Sequence, residues 1–313
     1  MYVFDGRITL EEREFLETYL HGFDYKTSGL SYTSMFMWRD INNFSWEKIG
    51  DYLCISGVDN FDLEEDIPFM FPPLTSTGAY EAESLRYTIA EAKRRFNEKG
   101  KAFVLRLVPF HMLEIFIKAM PGGVCFEADR ANFDYIYDTK ELIELRGRAY
   151  HSKKNHLNFF KANYDYEYLE MTEDMAEEAM TFIHKFNERK NLTDPKEREL
   201  LMYEEKAMRN VFEHLKDVGY LSGAIRIGGK IEALCVGGRL GTKTVIVHIE
   251  KANIEYRGLY QAINNEFCKH MASNVKHINR EEDMGLPGLR KAKLSYNPVK
   301  FIETYTVTFK CSD

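Results

Sequence analysis

The stretch GYLSGAIRIGGKIEALCVGGRLGTKTVIVHIE, residues 219–250, decides the fold because it encodes three consecutive strands. Its apolar and β-branched runs are separated by two short glycine turns, GGK and GTK, a pattern typical of strands joined by hairpins. Each turn leads into another strand and not into a helix, so neither is a glycine-rich phosphate loop. The second half of the chain is therefore predicted to contain an antiparallel meander.

The segments on either side of this meander extend it into a mixed unit of helices and strands. YEYLEMT (166–172) predicts a strand, and two helices follow it, the second opened by the DPKE cap at 194–197. After the meander we expect a helix from about Gly258, the strand KHINRE (276–281), the helix GLRKAKLSY (288–296) and the strand FIETYTVTF (301–309). The predicted order is β-α-α-β-β-β-α-β-α-β.

The first half is also mixed, with a helix at 79–100 and a strand at 101–109. A chain of 313 residues with 44% hydrophobic content is long enough to bury two cores. The net charge of −7 argues against a general nucleic-acid coat, although a local basic patch remains compatible with it. Because no leader or long apolar run is seen, we expect a cytoplasmic protein without a membrane-spanning segment. The five cysteines are widely spaced and predict no metal site.

One segment between the two halves concentrates positive charge. From Arg146 to Lys161 there are five basic residues and no acid. If 149–164 is helical, Lys153 falls on the same arc as four aromatic or apolar side chains, Tyr150, Leu157, Phe160 and Tyr164. Such a lysine can extend to water, pair with a carboxylate or contact a bound anion. If an anion is bound, Lys153, Lys154 and Asn155 are the candidates for contacting its phosphate.

The predicted order of elements resembles the acyl-CoA N-acyltransferase (GNAT) fold. Three local blocks are similar to the family that includes the C-terminal domain of lysylphosphatidylglycerol synthases: RGRAYHSKKNHLNFF (146–160), YRGLYQAIN (256–264) and INREEDMGLPGLRKAKLSYNPV (278–299). SYTSMFMWRD (31–40) and FPPL (71–74) resemble the first domain of the same family. The resemblance implies an α+β protein of two tandem GNAT-like domains, each with a mixed, largely antiparallel sheet flanked by helices. We expect domains at 1–145 and 165–313, joined by a basic interdomain helix at 146–164.

The resemblance also places a donor site at the turn before Gly258. In GNAT enzymes the amides of a helix N-terminus at this point bind the pyrophosphate of coenzyme A. Gly258 fits the first glycine of the usual Q/R-x-x-G-x-G/A pattern, but Glu255 and Tyr260 replace the Gln/Arg and the small residue. A carboxylate repels pyrophosphate and a tyrosine crowds it, which disfavours ordinary acetyl-CoA. Arg257 remains a candidate phosphate contact.

The block from 278 to 299 holds the remaining candidate residues. In a GNAT-like sheet its acids leave the strand where the sheet opens, so Glu281 is predicted to bind an amine acceptor, and Glu282 and Asp283 to take its proton. Tyr296 is the closest positional match to the tyrosine that serves as general acid in GNAT enzymes. We assign Arg290 and Lys293 to donor binding. The structural alternative is that the acids cap the helix and pair with Arg290 or Lys293, with Tyr296 in the core.

Two hypotheses about function follow. The first is an acyl- or aminoacyltransferase that takes its acyl group from acyl-CoA or aminoacyl-tRNA and passes it to an amine or hydroxyl of a soluble small molecule, peptide or protein. It needs no permanently bound cofactor, and tRNA is then a partner. The second is a non-catalytic protein that binds a ligand or partner through a degenerate GNAT fold, as the residues at 255 and 260 suggest.

Overall fold

The computed structural model describes residues 2–59, 67–189 and 195–309, and side chains of the last range from Arg198 onward. The chain forms two compact units, Met1–Phe133 with Ile302–Asp313, and Asp134–Phe301. Each unit contains a seven-stranded mixed sheet. The predicted cap residue Asp194 lies outside the described residues.

The sheet of the first unit has the strand order β1-β2-β3-β4-β5-β14-β6. Its strands are β1 (Gly6–Arg7), β2 (Ser45–Ile49), β3 (Tyr52–Asp59), β4 (Ile67–Met70), β5 (Leu105–Pro109), β6 (Val124–Ala128) and β14 (Thr304–Phe309). The helices are α1 (Arg13–Leu20), α2 (Tyr32–Trp38), α3 (Ala82–Glu98) and α4 (Leu113–Ala119). The side chain of Ser31 caps α2 by accepting a hydrogen bond from the Ser34 amide.

The sheet of the second unit has the order β13-β7-β12-β11-β10-β9-β8. Its strands are β7 (Asp134–Asp138), β8 (Tyr166–Glu170), β9 (Leu221–Ile227), β10 (Lys230–Leu240), β11 (Thr244–Ala252), β12 (His277–Asn279) and β13 (Lys300–Ile302). Its helices are α5 (Thr139–Glu144), α6 (His151–Asn163), α7 (Ala176–Glu188), α8 (Pro195–Glu213), α9 (Leu215–Val218), α10 (Leu259–Met271) and α11 (Pro287–Leu294). The predicted meander is present as β9, β10 and β11, with α10, β12 and α11 in the expected order.

The division of the chain differs from the predicted ranges at both ends of the second unit. β7, which was assigned to the first domain, pairs with β12 in the second sheet. β14, which was assigned to the second domain, lies between β5 and β6 in the first sheet. The pattern of a strand shows that it pairs but not with which neighbour, and this choice rests on residues far away in sequence.

Helix α6 packs inside the second unit, although the sequence predicts an interdomain helix at this position. Its Leu157 and Phe160 are buried in one hydrophobic cluster with Leu259 and Phe267 of α10 and with strand residues of the meander. The predicted arc is present, since Tyr150, Leu157 and Phe160 are buried and Lys153 is half-buried beside them. Packing against α10 therefore explains Phe160, whereas Phe159 is partly exposed and contacts Tyr164 and Arg257.

Candidate active site

The second sheet opens into a fork between β11 and β12. The two strands are parallel and pair at only three positions, from Thr244 with His277 to Ile246 with Asn279. From Val247 to Ala252, this edge of β11 has no neighbouring strand among the described residues. Main-chain N–H and C=O groups therefore line one side of the fork, as a carbonyl-binding site requires.

A β-bulge lies on β11 where the fork begins. Val236 of β10 pairs with Ile249, whereas its neighbour Gly237 pairs with Val247, so His248 is the additional residue. The His248 side chain is only 1% exposed, and its Nδ1 lies 2.8 Å from the carboxylate of Glu281. Bulges are common beside active sites because they redirect a side chain. The bulge here places an imidazole and a carboxylate together at the base of the fork.

The backbone around Glu281 is held in an unusual conformation. Glu281 has a φ of 55°, in the left-handed region that non-glycine residues rarely occupy. Its N–H donates to the Oδ1 of Asn279 at 2.8 Å, and its carbonyl accepts from the amide of Tyr135 at 3.1 Å. These two bonds fix the direction of the carboxylate towards His248. Strain of this kind is concentrated at functional sites.

The half-buried Glu282 and the buried Lys293 lie next to Glu281. Burial, together with the negative charges of Glu281 and Asp134, raises the pKa of Glu282 to about 8. Burial lowers the pKa of Lys293, whose Nζ donates to the main-chain carbonyls of Arg280 and Glu282. Lys293 therefore holds the turn after β12 in place, while Glu282 retains its proton in neutral solution.

The structure gives Asp283 a full set of partners. Its carboxylate is 0% exposed and accepts two hydrogen bonds of 2.8 Å from the Arg290 guanidinium. It also accepts from the phenol of Tyr135 at 2.5 Å and from the Gly285 amide at 2.9 Å. This geometry matches the structural alternative, in which the acid anchors the start of α11, and Arg290 is its ion-pair partner.

Arg280 enters the fork on the opposite face of β11 from the histidine pair. Its Nη2 lies 2.9 Å from Glu250, and the second oxygen of Glu250 accepts from Asn264 of α10 at 2.8 Å. The next strand residue, Lys251, points the other way and pairs with Glu204 of α8 at 2.9 Å. The fork thus has an α10 face with Arg280 and Glu250, and an α7–α8 face.

The buried ring of Tyr296 lies on the α10 face of the fork, beside Lys153 and Arg280. The Nζ of Lys153 lies 4.2 Å from the centroid of its ring, and the guanidinium carbon of Arg280 lies 4.8 Å from it. Burial raises the pKa of Tyr296 to about 12, and its side chain hydrogen-bonds with Gln261 in the first turn of α10. The tyrosine is therefore neutral and core-packed, with two cations on its aromatic surface.

The N-terminus of α10 is closely covered by α6. Gly258 has a φ of 90°, and a Cβ added there would lie 2.2 Å from the carbonyl oxygen of His156. The phenol of Tyr260 hydrogen-bonds with the backbone of Ala252 at the end of β11. Helix packing is thus sufficient to explain the glycine, and Tyr260 occupies space beside the outer end of the fork.

The other residues of the predicted donor set lie on or near the outer surface of the unit. The exposed guanidinium of Arg257 stacks 4.4 Å from the ring of Phe159. Lys154 donates to the Glu144 carbonyl at 3.3 Å, and Asn155 lies 3.4 Å from the His151 ring. An open surface pocket of about 770 Å³ lies at the start of α6. No acidic residue lines it, and its lining residues are Leu145, Arg146, Gly147, Arg148, His151, Ser152 and Lys154.

Three residues of the fork were not predicted from the sequence, namely His248, Glu250 and Arg280. Two of them carry a visible signal, since a histidine and a glutamate interrupt the apolar alternation of KTVIVHIE. Arg280 lies inside the 278–299 block, but only the tertiary structure shows that it turns into the fork and pairs with Glu250.

A mixed sheet that splays after a bulge, with a helix beginning beyond the splayed strand, is typical of the GNAT-like class of α+β folds. The second unit has this arrangement, and both units are mixed sheets flanked by helices. The family model of the phosphatidylglycerol lysyltransferase C-terminal domain matches residues 22–308. The chain belongs to this family.

Solved structures show the same architecture. A conserved protein of unknown function from Bacteroides thetaiotaomicron is 29% identical, with a TM-score of 0.86, over 99% of this chain and 100% of that one. L-PGS from Bacillus licheniformis is 12% identical, with a TM-score of 0.65, over 98% and 94%. A tandem GNAT protein from the clavulanic acid biosynthesis pathway is 9% identical, with a TM-score of 0.53, over 98% and 99%.

One curated relative also matches, an uncharacterised protein of Mycoplasmoides gallisepticum that is 27% identical over 183 residues. The match covers 57% of this chain and 56% of that protein, so the chain spans about half the length of the curated relative. None of the helices in the described parts of the chain has the length and apolar character needed to cross a membrane. Together these findings establish the family and a broad relation to acyl and aminoacyl transfer domains.

Proposed function

We propose that the second unit transfers an acyl or aminoacyl group from a carrier to an amine or hydroxyl at the fork between β11 and β12. The observation that carries this proposal is the contact of His248 with Glu281 at the bulge, beside the open edge of β11. A buried imidazole oriented by a carboxylate is suited to accept a proton from an attacking nucleophile.

The reaction needs few groups. The acceptor nitrogen or oxygen attacks the carbonyl carbon, a new C–N or C–O bond forms, and the acceptor proton passes to His248. The main-chain N–H groups of β11 stabilise the oxyanion. The bond to the carrier then breaks, and the leaving oxygen or sulfur takes a proton. Tyr296 is the proposed donor of that proton, while Glu281 holds the imidazole and Glu282, protonated in neutral solution, binds the acceptor.

The surface around α6 favours aminoacyl-tRNA over acyl-CoA as the donor. The basic pocket formed by Arg146, Arg148, His151 and Lys154 supplies positive charge for a polyphosphate backbone. The usual pyrophosphate position is restricted, because α6 covers Gly258 and Tyr260 lies against Ala252. For the acceptor we propose a soluble amine, since the carboxylate of Glu281 at the base of the fork attracts an ammonium group.

The experiment is a donor screen with the full chain. Each of the twenty aminoacyl-tRNAs and a panel of acyl-CoA esters would be incubated with a mixture of amines, and product would be followed by mass spectrometry. We expect product from an aminoacyl-tRNA and a loss of about 100-fold or more in its rate on His248→Ala, the usual contribution of a general base.

The matched control is His270→Ala, which alters a histidine of the same unit that stacks on Tyr168 outside the fork. Its rate should stay near that of the unaltered protein. If His248→Ala transfers as fast as this control, the fork is not where the chemistry occurs.

A second candidate function is ligand binding without transfer. The specific observation in its favour is that Arg280 and Glu250 already occupy the α10 face of the fork. This alternative predicts thermal stabilisation by a ligand and no product with any donor, whereas transfer predicts both.

A further inference from the structure

Lys153 is a half-buried cation with no carboxylate partner in the described part of the chain. None of the acids in the described ranges lies within 4.0 Å of its Nζ, which instead rests 4.2 Å from the ring of Tyr296. Burial and then the charge of Arg280 lower the pKa of Lys153. The ammonium group therefore occupies an unfavourable electrostatic position in the absence of a ligand.

Arg280 adds an unsatisfied donor to the same place. Its Nη2 pairs with Glu250, but its Nη1 is buried and has no hydrogen-bond partner among the described residues. A buried guanidinium nitrogen without a partner is costly, and such a group in a native protein calls for an explanation, such as a functional role or a bound water or ion.

The charges on the α10 face of the fork do not balance. Two cations, Lys153 and Arg280, face one carboxylate, that of Glu250, and both of its oxygens are already used by Arg280 and Asn264. We infer that Lys153 and Arg280 form a subsite for an oxyanion, a carboxylate or phosphate group of the substrate, above the ring of Tyr296. Such a group neutralises the surplus charge and supplies an acceptor for Nη1.

This subsite deepens the proposed function and rests on it, because the oxyanion would belong to one of the reacting molecules. It lies on the inner face of α6, whereas the basic pocket with Lys154 lies on the outer face. The oxyanion can come from either of two sources. One is a carboxylate of the transferred group or of the acceptor, and the other is a phosphate of the carrier. A purely cationic acyl chain, by contrast, would be repelled at this face.

The experiment measures binding to the full chain by calorimetry at constant ionic strength. The probes are glutarate for a carboxylate, inorganic pyrophosphate for a phosphate, and pentane-1,5-diamine as a ligand of reversed charge. Lys153→Met removes the charge and keeps the chain length. Lys276→Met is the matched control, because Lys276 is an exposed lysine of the same unit that lines neither basic site, and Lys153→Arg restores the charge.

We expect at least one oxyanion to bind, with an affinity about tenfold or more lower in Lys153→Met, as for loss of a charge-assisted hydrogen bond. Lys276→Met should bind normally, and Lys153→Arg should recover most of the affinity. Glutarate binding assigns the oxyanion to a reacting carboxylate, and pyrophosphate binding assigns it to the carrier.

The inference is overturned if neither oxyanion binds, if Lys153→Met binds as tightly as the unaltered protein, or if the diamine is the probe that binds. Because no turnover is measured, a protein that passes this test and transfers nothing in the donor screen retains the subsite and loses the transferase proposal.

Discussion

Gly258→Ala separates two reasons for a glycine at the start of α10. If the glycine serves phosphate approach, the substitution affects only ligand binding; if it serves packing, it destabilises the protein without any ligand. The structure favours packing, because the added Cβ would lie 2.2 Å from the His156 carbonyl oxygen and the φ of 90° disfavours a side chain.

The expected magnitude follows from these two terms. A left-handed backbone costs a non-glycine residue about 1–2 kcal/mol. Forcing a methyl group into a packed interface costs about 1–3 kcal/mol. The sum of about 2–5 kcal/mol corresponds to a fall in Tm of about 4–20 °C for a unit of this size.

The assay is thermal and urea unfolding of the ligand-free chain. Gly288→Ala is the matched control, because no atom lies within 4 Å of a Cβ added at this glycine of α11. It should leave stability unchanged or raise it by about 0.5–1 kcal/mol. Equal stability of the Gly258→Ala and Gly288→Ala proteins would refute the packing explanation and return Gly258 to the role of a phosphate-site residue.

Two further predictions concern the acids after β12. Asp283→Asn should lower the free energy of unfolding by about 1–3 kcal/mol, because Asp283 is buried while its partner Arg290 is partly exposed. Urea unfolding of Asp283→Asn, Arg290→Met and the double variant should show that the two losses of stability are less than additive. Additive losses would show that the pair is not coupled. Glu282 has a pKa raised to about 8 in the folded protein, so the folded state holds a proton that the unfolded state releases, and stability should fall as pH rises from about 5 through 8. In Glu282→Gln this part of the decline should disappear, and an unchanged pH profile of unfolding would contradict the assignment.

Local sequence predicted the elements of the second unit well. Turn glycines and alternating apolar residues identified β9, β10 and β11, and helical periodicity identified α6 with Lys153 on its buried side. These features depend on residues within a few positions of one another, so a short segment contains the whole signal.

The candidate site was predicted only in part. The block from 278 to 299 was recognised as important, yet the roles within it differ: Asp283 is engaged by Arg290 and Tyr135, while Glu281 is directed at His248. Nothing in the spacing of three consecutive acids distinguishes them. The difference arises from the positive φ of Glu281 and from partners on β7 and β11.

What the sequence by itself determined is the order of strands, turns and helices, the family and the concentration of basic residues from Arg146 to Lys161. Only the tertiary structure decided that β14 completes the first sheet, that β11 and β12 part after three pairs, and that Lys153 and Arg280 lie over the same tyrosine. The physical reason is that strand pairing and the desolvation of charges depend on groups far apart along the chain, such as Glu250 and Arg280, which become neighbours only when the sheet has formed.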